Sequence, residues 1–281
     1  MTGNTPEKPA SAAKKGGRWD SLRGVFVPSF TNLRVWLLQF FGGIVIALAL
    51  IGFLRTGETS GQLILACLLI LVAVVGWLTL DGSTFNYYLD QQRTQTSLLK
   101  PALIRALKHI LPLAILAGIF FLLRLVVDRL DDYHYSVPGY LRSEFPAWLR
   151  RNMSEARVQN LYDLFVFFIR WIILPVLLLP LASLCADRGF RGFFALRTWA
   201  RMFRNRSFWG VVIVASFLGI LIPTSILAWK LDPKTATATS EGIFLGFRLL
   251  LVYLLVLGAW LMVSSMLART RLRAEATTSK T

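Results

Sequence analysis

The chain has 281 residues, 55% of them hydrophobic and 16% charged, where an ordinary soluble domain is about 45–50% apolar and about 25% charged. The apolar excess falls in blocks of about 20 residues, the length a helix needs to cross the hydrocarbon, which excludes a single soluble core. With 31 Lys+Arg against 15 Asp+Glu the net charge is +16, and the distribution of that charge among the connections makes a nucleic-acid partner unnecessary.

Residues 1–30 are rich in Pro, Gly, Ser, Ala and Lys and are expected to form a disordered, basic cytoplasmic tail. Six apolar segments follow: Leu33–Leu54, Gly61–Leu80, Ile110–Val127, Leu161–Ala186, Phe208–Trp229 and Ile243–Leu267. They predict an all-α, polytopic membrane protein with six transmembrane helices in a domain covering 31–270, then a cytoplasmic tail at 271–281. Ala47-Leu48-Ala49 imitates a signal-peptidase site, but more than 30 residues precede the apolar run and the run continues past the site. A retained helix is expected instead.

Orientation follows from the loop charges. Segments 1–34, 81–109, 187–207 and 269–281 carry 20 Lys+Arg against 6 acids, whereas 55–60, 124–160 and 230–242 carry 9 against 8. The bias alternates at every crossing, so both termini are expected in the cytoplasm and the 128–160 connection outside, in a bacterial cytoplasmic membrane.

The two long inner connections share a pattern. Asp81-Gly82 is expected to end the second helix and Asp187-Arg188-Gly189 the fourth. Each is followed by aromatics (Phe85, Tyr87, Tyr88; Phe190, Phe193, Phe194) and then by a basic amphipathic helix, Leu98–His109 or Leu196–Arg206. This is a candidate parallel repeat. In the second of these helices Arg197, Arg201 and Arg204 fall within about 60° of one another at 100° per residue. Leu196, Trp199 and Phe203 gather on the other side. Such a helix lies in the interface with its guanidinium groups at lipid phosphates, or binds a protein partner, or simply sets topology.

The outer half of the membrane holds Arg124, Arg170 and Arg248. Arg170 lies nine residues into the fourth segment, about 13 Å along its axis, where an unpaired guanidinium is costly. Asp163, on the same helix face, is its expected partner. The alternative is an outward cationic pocket for a lipid headgroup or organic anion, shared by the three arginines. Pro175, Pro180 and Pro223 are expected to kink the fourth and fifth helices, either at a transport site or as plain packing kinks.

In the outer connection Asp131, Asp132 and His134 are metal-ligand types, but a single histidine on an irregular loop reads as solvated. Phe145–Arg151 reads as a short interfacial helix, and Asn152 with Glu155 has capping-box spacing. Gly43/Ala47, Ala114/Gly118 and Ala215/Gly219 permit close helix approach or a subunit interface. Cys67 and Cys185 lie in or beside apolar runs, so neither a disulfide framework nor a zinc site is expected. No HExxH, P-loop or GxGxxG occurs. The expectation is a non-enzymatic protein without cofactor or metal. It would bind lipid or a protein partner, or a further copy of itself, in membrane assembly, scaffolding or envelope maintenance. The alternative is a carrier for an anionic or lipidic solute.

Overall fold

The computed structural model describes residue 27 and residues 29–57, 59–94, 98–230 and 238–278. Residues 1–26 of the expected tail, and 279–281 of the other, lie outside the described residues. The chain forms α1 (Leu33–Leu54), α2 (Ser60–Thr94), α3 (Leu99–Lys108), α4 (Ile110–Asp131), α5 (Ser136–Glu144) and α6 (Ala147–Asn152). It continues with α7 (Glu155–Phe168), α8 (Leu174–Arg188), α9 (Leu196–Phe203), α10 (Arg206–Ser216), α11 (Ile222–Leu227) and α12 (Ala238–Thr278). Among the described residues, six helical stretches are long and apolar enough to cross a membrane: α1, α2, α4, α7 with α8, α10 with α11, and α12. The protein is an all-α polytopic membrane protein. One end of the bundle, called here the basic end, carries α3, α9, Arg188 and the C-terminus of α12; the other carries the connection through α5 and α6.

Two spans outrun the membrane. At 1.5 Å per residue, the 35 residues of α2 and 41 of α12 reach about 52 and about 60 Å, against about 30 Å of hydrocarbon. Asp81-Gly82 therefore does not end the second helix, which runs on to Thr94. Gly82 is a packing notch: a Cβ there would lie 3.0 Å from Ala106 and from Leu113, so its missing side chain lets α3 and the start of α4 close onto α2. Residues 271–278, expected in a tail, are likewise helical, and Arg271 is buried.

The surplus length forms the core. Nearly every residue from Leu78 to Leu89 is buried, as is most of α12 from Leu257 to Ala274, whereas from Ser60 to Val72 only Ala66 is. Lipid tails are as apolar as leucine, so side chains within the hydrocarbon gain little by hiding, and close packing concentrates where water begins. Polar side chains tie the spans there. Gln39 of α1 donates to Thr84 Oγ1 at 2.6 Å and to the Leu80 carbonyl at 3.2 Å. Asn86 donates to the Ala186 carbonyl at 3.1 Å, and Tyr253 of α12 to the Phe40 carbonyl of α1 at 2.9 Å.

Two of the three prolines coincide with a defined distortion, whereas Pro180 lies inside α8 with none. Pro175 is preceded by a π-helical segment, Ile169–Ile173, and Pro223 by another, Phe217–Leu221. Proline lacks the N–H that the carbonyl four residues earlier would use, and its ring crowds that carbonyl, so the helix widens by a residue. The fourth span ends as expected at Gly189, whose φ of 61° with ψ −137° suits only glycine. Two local details differ. Ser154, not Asn152, caps α7, accepting from the Arg157 N–H, because Asn152 is the last residue of α6. The basic helix stops at Phe203, and Asn205 caps α10 by accepting from the Ser207 N–H at 3.1 Å. Of the small-residue pairs, Gly219 lets α12 approach (Ala259 would meet its Cβ at 3.0 Å), but a Cβ at Gly118 would meet open space.

Candidate functional site

Arg124, Arg170 and Arg248, expected in the outer half of the membrane, are all engaged, and they do not share one set of partners. Arg170 forms an ion pair from Nε to Asp128 at 2.8 Å and a second with Asp131. This replaces the expected pair with Asp163. Asp163 lies seven residues, about 10 Å, nearer the loop end on the same span, whereas antiparallel α4 offers Asp128 and Asp131 at the depth of the guanidinium. Asp163 faces His134 instead, at 3.3 Å, and Gln159 flanks the same imidazole. Arg124 joins Arg170 through Asp128, at 3.9 Å, while its guanidinium lies 4.6 Å over the Trp171 ring. Arg248 is separate. It donates to the Leu227 carbonyl at 2.7 Å and to that of Trp229, so it caps the C-terminal end of the fifth span, where the helix dipole favours a cation. Among the described residues no group of three or more His, Cys, Asp or Glu could hold a metal.

At the basic end, α9 is fastened by its apolar face. Met202 and Thr198 are buried, and Met202 belongs to the core that includes Phe208, Met262 and Met266. The Trp199 indole donates to the Leu177 carbonyl of the fourth span at 3.0 Å, and Phe203 stacks edge-on against both Trp199 and Phe208. Arg197 and Arg204 are exposed and Arg201 is half-buried. The expected sorting is present only in part over this helix of eight residues: Trp199 and Phe203 are half-buried, but Leu196 is 60% exposed and the buried positions are Thr198 and Met202.

Beside α9 lies a cluster that sequence reasoning missed. Arg271 of α12, 1% exposed, pairs with Asp187 at the end of the fourth span, with Glu275 one turn on (2.9 Å), and donates to the Ser183 carbonyl at 2.9 Å. Asp187 is shared with Arg93 at 3.6 Å and Arg105 at 3.4 Å; Glu275 is shared with Arg93 at 3.3 Å and Arg188 at 2.8 Å. Arg105 also grips Asp90 at 3.0 Å. Four arginines and three carboxylates thus join α2, α3, α8 and α12. Partial burial opposes the charge on Arg105, but the hydrogen bonds and charges of Asp90 and Asp187 outweigh it and raise its pKa. Neighbouring His109, packed under Gly189, is driven toward the neutral form by burial and then by Lys108. The local signal in the sequence was the i,i+4 pair Arg271/Glu275; Asp187 and Arg188 read as the end of the fourth helix, and Arg93 and Arg105 as topology-setting charge.

Comparison of the chain with protein-family models, curated proteins and solved structures finds no match.

Proposed function

We propose that this protein is a non-enzymatic integral membrane protein that holds anionic lipid against a rigid basic face, in the assembly or maintenance of the membrane it occupies. The observation that carries this reading is α9: Met202 and Trp199 fix it to the bundle while Arg197 and Arg204 stay exposed. A helix held in this way presents guanidinium groups at the level of lipid phosphates without the entropy cost of ordering a loop. The loop charges assign the basic end to the cytoplasm, and the membrane is taken to be a bacterial inner membrane. A carrier built on the outer-half arginines is less well supported, because Arg124 and Arg170 are met by carboxylates and Arg248 by backbone carbonyls.

The test replaces Arg197, Arg201 and Arg204 together with Gln and compares the lipids that copurify with the protein, by native mass spectrometry. Selective loss of anionic lipid is expected. Unchanged anionic lipid in the folded triple variant would remove the basis of the proposal.

A further inference from the structure

The π segments of the fourth and fifth spans lie at the same offset from their prolines, each ending two residues before the ring. Between these spans is a slot of about 170 Å³, with the sixth span as its back wall. Trp171 and Leu179 line it from one side, Phe208 and Ile220 from the other, and Val256 and Leu267 from behind. The fourth span leans on the third and the fifth on the sixth, while α9 packs against α8, α10 and α12 and closes the basic end. The widened turns themselves form part of the wall, through Trp171 and Ile172 of the fourth span and Gly219 and Ile220 of the fifth.

Depth and exposure together define what such a slot can take. From Phe208 to Ile220 it runs about 18 Å along the fifth span, a little over half the roughly 30 Å of hydrocarbon. Phe208 is 2% exposed and Leu267 0%, whereas Trp171 is 40% and Val256 42%. The slot therefore closes toward the basic end and opens near mid-membrane, where the surrounding solvent consists of lipid chain ends. Its small volume over that length makes it narrow, fitted to an unbranched chain, and an unfilled slot forfeits dispersion contacts along all three walls. We propose that it binds the terminal part of one phospholipid acyl chain, reaching across the midplane from the leaflet at the loop end. Three protein walls distinguish this chain from the lipid that merely coats the exposed faces. The site is independent of the basic face of α9.

The experiment uses the full chain in phosphatidylcholine vesicles containing a phosphatidylcholine with a photoreactive diazirine at the acyl terminus. Crosslinks mapped by mass spectrometry should fall on Leu179, Phe208 and Val212 severalfold more often than on the lipid-exposed stretch Leu63–Leu71 of the second span. Ser216→Phe, which fills the slot from the fifth span, should abolish that excess and leave second-span labelling intact; Val176→Phe fills it from the fourth span should the first variant fail to fold. Uniform labelling of the unmodified protein, or an excess that survives in a folded filled variant, overturns the proposal. Trp260→Phe removes the unpartnered indole N–H on the slot wall and should change nothing. Loss of labelling in that variant would show a ligand bearing a polar acceptor and overturn the assignment to an acyl chain. Because phosphatidylcholine has no net charge, replacing Arg197, Arg201 and Arg204 with Gln should leave this labelling unchanged, so each proposal can fail alone.

Discussion

Arg170 sits about a third of the way through the fourth span, and a guanidinium at that depth requires a counter-charge it can reach without crossing hydrocarbon. Helical spacing offered Asp163, two turns away on its own helix; the fold supplies Asp128 and Asp131 from the antiparallel neighbour. A double-mutant cycle tests the choice. Arg170→Leu and Asp128→Asn should each lower the unfolding midpoint in detergent, with a coupling of about 1 kcal/mol for so partly exposed a pair. The corresponding cycle with Asp163→Asn should give additive changes. Coupling to Asp163 instead of Asp128 would refute the pairing. That an arginine here needs a partner was legible in the sequence; which carboxylate serves depends on the register between two helices, which no local pattern encodes.

Gly82 and Gly189 follow the same kind of acidic-glycine signal, yet they act differently at the level of the element. Gly82 stays helical in a stretch whose polar side chains are satisfied: Ser83 and Thr84 donate to the Leu80 carbonyl of their own helix, Asn86 donates to the Ala186 carbonyl of the fourth span, and α3 fills the space that a side chain at 82 would occupy. Gly189 takes φ 61° and ψ −137°, a region closed to other residues, and a Cβ there would stand 2.7 Å from His109 Nδ1. Gly189→Ala should therefore cost about 2 kcal/mol or more, read as a lower thermal midpoint of the purified protein. A midpoint equal to that of the unmodified protein would mean that the turn at 189 is not held as described. The candidate repeat expects a break after each acidic-glycine pair, and only the second, at Gly189, has one; α2 runs unbroken through Gly82.

At the scale of the molecule, the spans are fastened at one end. Arg271 and its carboxylates bind the last helix to the second and fourth spans outside the hydrocarbon, next to the buried stretches Gly82–Leu89 and Leu257–Ala274. Removing a buried arginine leaves Asp187 and Glu275 short of a partner, although Arg93, Arg105 and Arg188 remain nearby. Arg271→Met should cost about 3 kcal/mol and speed amide exchange at the basic end of α2 and α12 while leaving α5 and α6 unchanged. Exchange accelerated equally at both ends would show that the cluster does not define a separate packed region. The chain-binding slot fits this arrangement, since the fourth span packs mainly on the third and the fifth on the sixth.

Much of the architecture followed from the sequence alone. Runs of about 20 apolar residues force helices across a bilayer, because a backbone in hydrocarbon must satisfy its own hydrogen bonds. Their number, the distortions at Pro175 and Pro223, the stop at Gly189 and the exposed basic face of α9 follow from local chemistry that each segment carries by itself. The continuation of α2 and α12 beyond the membrane, the partners of Arg170 and Arg271, and the slot between the fourth and fifth spans were decided only by the tertiary structure. Each depends on which residues of separate helices share a depth and a face, and that is set by the packing of the whole bundle.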